Sequence, residues 1–158
     1  MNVSEVLKIA NPVMPVMVID DLASAVPLAQ ALVNGGVKTL EITLRTPVAL
    51  DAVKQIASEV EGAIVGVGTV VNAEQLQAAK DAGATFAVSP GFTTDLGKAA
   101  QDIGLELLPG VANASDIVAA LSIGLDHLKF FPAEQAGGIP MLKALGGPFP
   151  QITFCPTG

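Results

Sequence analysis

Tryptophan and tyrosine are absent from the 158 residues, and cysteine, histidine and arginine occur once each, as Cys155, His127 and Arg45. One cysteine cannot close an internal disulfide, which excludes a disulfide-stapled secreted scaffold and points to a reducing, cytoplasmic setting. One histidine and one cysteine are too few for a transition-metal cluster, so no metal site is expected. Basic residues are scarce: eight Lys and Arg against fifteen Asp and Glu give a net charge of -7. No basic surface can track a phosphate backbone, which argues against nucleic acid as a partner. Long apolar runs are missing too, and none approaches the roughly 18 uninterrupted positions of a membrane span. Glu5, Lys8, Pro12 and Pro15 interrupt the first stretch of chain, unlike the basic, apolar, small-residue order of a signal peptide.

With 51% hydrophobic residues, a chain of this length can bury a substantial core. Seven short runs rich in Val, Ile, Leu and Phe punctuate it: Val13 to Ile19, Thr39 to Leu44, Ala63 to Thr69, Phe86 to Ser89, Glu106 to Pro109, His127 to Phe131 and Gln151 to Cys155. Each reads as a buried strand. Their starts lie 20 to 26 residues apart, with Ala-rich helical segments between them. Thr46 followed by Pro47 predicts an N-cap and first helical position, Asn72 predicts a second cap, and Gly35, Gly83, Gly104 and Gly124 mark helix ends.

A strand-helix repeat of this kind implies an α/β fold with parallel strands, either a (β/α)8 TIM barrel or an open doubly wound sheet. Two features favour the barrel. The one candidate phosphate loop, Gly66 to Val71, has Val71 where the third glycine belongs. Polar residues also lie within or at the C-terminal ends of several strands, where a barrel builds its active site. Barrels usually take about 250 residues and at least about 200. The expectation is therefore one barrel domain over residues 1–158 with the first seven strands, apparently lacking its C-terminal eighth βα unit.

Alternation over Leu40 to Arg45 puts Leu40, Ile42 and Leu44 on one face and Glu41, Thr43 and Arg45 on the other. In a barrel the polar set points inward, either as a structural Glu-Arg pair or as part of a site. Lys129 stands in the middle of the apolar run His127 to Phe131, whereas the other lysines lie in helices, turns or the N-terminal segment. Such a lysine either snorkels or pairs with Glu41, or it is a nucleophile, because desolvation favours the uncharged amine that attacks a carbonyl. A lysine nucleophile, a carboxylate that moves protons and an arginine that holds an anion together describe Schiff-base chemistry on a keto acid. Thr69 and Thr157, at strand ends, are placed to bind the substrate carboxylate, and the backbone amides of Thr157-Gly158 are placed to bind an anion. His127 and Cys155 read as structural, Glu106 as solvated, and Glu134 as a weaker candidate for the site.

The strings Leu40-Glu41-Ile42-Thr43-Leu44-Arg45-Thr46, Val65-Gly66-Val67-Gly68-Thr69-Val70, Ser89-Pro90-Gly91, Leu108-Pro109-Gly110, Lys129-Phe130-Phe131-Pro132-Ala133-Glu134 and Phe154-Cys155-Pro156-Thr157-Gly158 resemble, collinearly, the class I 2-keto-3-deoxy-6-phosphogluconate (KDPG) and 4-hydroxy-2-oxoglutarate (KHG) aldolases. The resemblance implies a (β/α)8 barrel, usually a homotrimer, that cleaves KDPG to pyruvate and glyceraldehyde 3-phosphate with no metal or other cofactor. It makes Lys129 the Schiff-base lysine and Glu41 the general acid/base. Arg45, Thr69 and Thr157 would bind substrate, with Pro90 and Phe131 lining the pocket. Alternatives are an aldolase for the galactonate-derived substrate or a truncated barrel without catalysis.

Overall fold

The computed structural model describes residues 1–158. Its strands are β1 (Val16–Met17), β2 (Thr39–Thr43), β3 (Ile64–Gly68), β4 (Phe86–Val88), β5 (Glu106–Leu108), β6 (Gly110–Val111), β7 (His127–Phe130) and β8 (Thr153–Pro156). Helices α1 (Val3–Ala10), α2 (Leu22–Asn34), α3 (Ala49–Glu59), α4 (Ala73–Asp81), α5 (Thr94–Ile103), α6 (Ala114–Leu121) and α7 (Gly138–Gly146) alternate with them. Every strand pair is parallel, in the orders β1-β2-β3-β4-β5 and β6-β7-β8, so the fold is α/β and TIM-barrel-like.

Helix starts follow local chemistry. Asn2, Asp21, Asn72, Thr93 and Asn113 each accept a backbone N–H of the first turn they precede, removing a donor that the helix leaves unpaired. Asn2 and Glu5 form a reciprocal capping box. The expected cap at Thr46 is not made. Helix α3 begins at Ala49 without a side-chain cap, and the Thr46 hydroxyl instead donates to the Ile19 carbonyl at 2.6 Å, tying the β2–α3 turn to the chain after β1. Gly104 ends α5 with φ 70°, a left-handed conformation glycine adopts without steric cost.

Two strand expectations are corrected. The first run contributes only Val16–Met17, because Pro12 and Pro15 cannot donate ladder hydrogen bonds. The fifth run, Glu106 to Pro109, forms only β5, and a further strand, β6, follows beyond it past Pro109, the ladder passing between them through Lys129 N–H donating to the Pro109 carbonyl at 2.8 Å. Val13, Val16 and Val18 keep more than 40% exposure, and β1 and β8 each pair on one side only. Between these two edges, with α1 alongside, lies a cavity of about 630 Å3 reached by Met14, Val16, Cys155 and Thr157.

Side-chain parity sorts the core. Leu40, Ile42, Val65, Val67, Ala87 and Leu107 point outward into a cluster of 21 buried residues shared with the helices. Val111, Leu128 and Phe130 do the same in a smaller cluster of 6. On the inner side, Phe86, Val88 and Leu108 pack with Val6 of α1, with Ile64, Met14 and Cys155 half-buried around them. Helix α1 thus lies against the inner side of the strands, tethered by Val3 N–H donating to the Glu106 carboxylate at 3.0 Å. Glu106 is exposed, as expected of a solvated strand-start residue.

Candidate functional site

Strand β2 is buried on both faces, and its inward residues are polar. Thr43 donates its hydroxyl to the Met17 carbonyl at 3.0 Å. Glu41, 4% exposed, has no such local partner. Its Oε1 stands 3.8 Å from Nζ of Lys129, which β7 brings to the same inner side at 6% exposure. That separation is an ion pair but too long for a hydrogen bond, so the amine is not locked to the carboxylate. Nζ of Lys129 also sits 4.9 Å from the Phe131 ring centroid, a cation–π contact.

Burial raises the Glu41 carboxyl above its usual value near 4.5, and the positive charges of Lys129 and Arg45 offset part of that rise. A carboxyl held up in this way binds a proton more readily than a solvated one, which suits it to taking and returning a proton. Cys155, which faces Lys129 across the β7–β8 register, is half-buried beside this pair rather than sealed in a core. Burial and the Glu41 carboxylate push its thiol upward, against the opposing effects of Lys129 and a hydrogen bond with the Thr157 side chain. The signal that could have placed Cys155 here was its parity with Thr157, two residues on.

The other expected residues divide. Arg45 lies past the end of β2 in a turn and is exposed, so the inward alternation stops at Thr43. Its charge still reaches Glu41. Thr69 follows β3 directly, half-buried, with φ 65°. Pro90 is half-buried after β4, and its carbonyl crowds the place a β-carbon at Gly110 would occupy. Thr157 and Gly158 continue β8 toward the 133–134 turn: Ala133 N–H donates to the Thr157 carbonyl at 2.9 Å and Glu134 N–H to the Gly158 carbonyl at 3.0 Å. The Thr157 amide donates to Phe130 at 3.0 Å, so it is spent within the fold and is not free to hold an anion. Gly158 has φ 89° and packs near the Phe131 ring. Glu134 is exposed, and the carboxylate that pairs with Lys129 is that of Glu41. His127 sits at the N-terminal end of β7 with Nδ1 2.6 Å from Asp126 Oδ1, away from Lys129 by two residues along the strand.

A buried amine beside a buried carboxylate, on the inner side of parallel strands, is chemically able to condense with a carbonyl and to move protons around the adduct. Comparison with known proteins identifies the family. A family model described as KDPG and KHG aldolase matches residues 3–158. A 2-dehydro-3-deoxy-phosphogluconate aldolase of Zymomonas mobilis is 56% identical over 99% of this chain and 74% of its own length. A KHG/KDPG aldolase of Escherichia coli is 50% identical over 98% of this chain and 73% of its own. The crystal structure of a Legionella pneumophila KDPG aldolase, with pyruvate captured as a covalent carbinolamine intermediate, superposes with a TM-score of 0.92 at 50% identity, covering 95% of this chain and 73% of that one. The chain belongs to the KDPG and KHG aldolase family, whose members are carbon–carbon lyases.

Proposed function

We propose that this chain supplies the catalytic core of a class I aldolase that cleaves 2-keto-3-deoxy-6-phosphogluconate to pyruvate and glyceraldehyde 3-phosphate, and also 4-hydroxy-2-oxoglutarate to pyruvate and glyoxylate. The observation that carries it is the Lys129–Glu41 pair at 3.8 Å, both members buried. Lys129 Nζ adds to the C2 ketone, and loss of water leaves an iminium. Glu41 takes the C4 hydroxyl proton, the C3–C4 bond breaks, and its electron pair passes into the enamine as the aldehyde departs. Protonation at C3 and addition of water return the amine and pyruvate. Arg45, Thr69, Thr157 and the Gly158 backbone bind the substrate's anionic and hydroxyl groups, while Pro90 and Phe131 wall the pocket.

The same reading makes residues 1–158 a single (β/α)8 barrel domain in which β5 and β6 act as one strand, so that seven of eight positions are occupied. The two unpaired parallel edges, β1 and β8, flanking one cavity support an eighth βα unit between them. The family resemblance supports a homotrimer, which light scattering reads as three times the protomer mass. The deciding experiment incubates the protein with pyruvate and borohydride and maps the reduced adduct by peptide mass spectrometry. The adduct is expected on Lys129 and to vanish in Lys129→Met with the circular dichroism unchanged. An adduct elsewhere, or none with pyruvate in a folded protein, overturns the reading.

A further inference from the structure

We propose that Gly68 is a positioning residue for Glu41: its missing side chain forms the slot that aims the carboxylate up the strand axis toward Lys129. The proposal rests on Glu41 serving as the acid/base. Glu41 is in register with Gly66 on β3, and Thr43 with Gly68. Both glycines face the same inner side as Glu41, yet different atoms fill their spaces. A β-carbon at Gly66 would collide with the Phe86 ring, which β4 lays across the level of Glu41 itself. A β-carbon at Gly68 would stand 2.8 Å from both Cγ and Cδ of Glu41 and collide with Oε1, well inside the ~3.5–4.0 Å at which carbon atoms rest. The Phe86 ring therefore occupies the lower space, and the carboxylate leans over Gly68, on the side toward Thr69 and the strand's C-terminal end.

Conformation does not require glycine at 68. The left-handed backbone falls on the next residue, where a β-branched Thr69 takes φ 65°, while Gly68 itself is not in that region and is the last residue of a regular strand. The chain thus tolerates strain at 69 and keeps its glycine one position earlier, where only space demands it. Among the inward-facing residues, the atoms that use that space belong to the one buried carboxylate.

Gly68→Ala tests this, because alanine suits the strand backbone and the colliding group is the far end of a flexible side chain. The expected result is a kcat for KDPG cleavage lower by about 100-fold or more, the scale of losing acid/base catalysis. KM should stay within about threefold, and the borohydride-trapped pyruvate adduct on Lys129 should still form. Glu41→Asp, whose shorter chain clears the new methyl, should be more active in the Gly68→Ala background than the two single losses multiplied together. Gly68→Ala with kcat within about twofold of the parent overturns the proposal, as does strict multiplicativity of the two substitutions. Should Gly68→Ala alone fail to fold, the double variant, relieved of the collision, is expected to fold, and its failure also overturns the proposal. A parent protein that forms no pyruvate adduct instead removes the aldolase reading itself, so the two failures are distinct.

Discussion

Thr69 and Glu41 carry opposite kinds of cost at the residue scale. A β-branched residue at φ 65° stores about 1–3 kcal/mol of backbone strain. Thr69→Gly removes it but gives the unfolded chain more freedom, so a net gain of about 1 kcal/mol is expected in urea unfolding. The same variant should raise KM if the hydroxyl binds substrate, and a stabilised variant with unchanged KM would remove Thr69 from the pocket. Glu41 bears its cost through protonation. Because burial raises its carboxyl above 4.5, the folded chain binds this proton more tightly than the unfolded one. The resulting stability is full below the unfolded value and is lost as pH rises through the folded value. Against Glu41→Gln, which has no such titration, the parent should lose relative stability as pH rises from about 4.5 toward neutrality. Urea midpoints of the pair measured across that range check it, and a difference that stays constant or grows in the parent's favour contradicts it. Glu41 and Lys129 were visible in the sequence for a simple reason: a charged group inside an apolar run has few bland explanations. Cys155 was not, since a small, apolar-tolerant thiol in an apolar run reads as core whether or not a charged pair lies beside it.

Phe86 links elements that the sequence does not connect. Its ring, 1% exposed, fills the space over Gly66, meets Val6 of α1, and closes the level below the Glu41 carboxylate. Phe86→Ala is expected to cost about 3–5 kcal/mol, as aromatic truncations in cores do. It should also lower the Glu41 titration in the pH–rate profile, because water would reach the carboxylate and weaken the burial that raises it. Destabilisation with an unmoved profile would separate the core from the site. The repeat of strand and helix was legible at this scale, since buried parallel strands leave continuous apolar runs. What was missed turns on local competition. Thr46 followed by Pro47 has the composition of a cap, but the Ile19 carbonyl claims its hydroxyl. Helix α1 went unread because Pro12 and Pro15 dominate the N-terminal stretch, although Asn2 and Glu5 carried its capping box. Arg45 was placed on the strand by extending a period of two past the residue where the ladder stops.

The Lys129–Glu41 pair spans two unequal parts of the molecule. Glu41 belongs to the five-stranded sheet, backed by a cluster of 21 buried residues. Lys129 belongs to the three-stranded sheet, backed by 6, where α7 buries only Leu145 and none of the β8 residues is fully buried. Regions with fewer buried apolar contacts open at lower free energy than the whole. The β6–β8 part is therefore expected to open first, carrying Lys129 away from Glu41 while the larger sheet persists. Amide exchange should be slowest in β2 and β3, which are paired on both sides, and faster in β8, which has one open edge. In a urea series, trapping of pyruvate on Lys129 should fall at a lower concentration than the helical circular dichroism, most of whose helices pack on the larger cluster. A single coincident transition for both probes would mean that the Pro109 junction, bridged by the Lys129 amide, couples the two sheets into one cooperative unit. An occupant of the cavity between β1 and β8 would have the same effect by adding contacts to the weaker edge, bringing the two transitions together and raising the pyruvate-trapping midpoint toward that of the core.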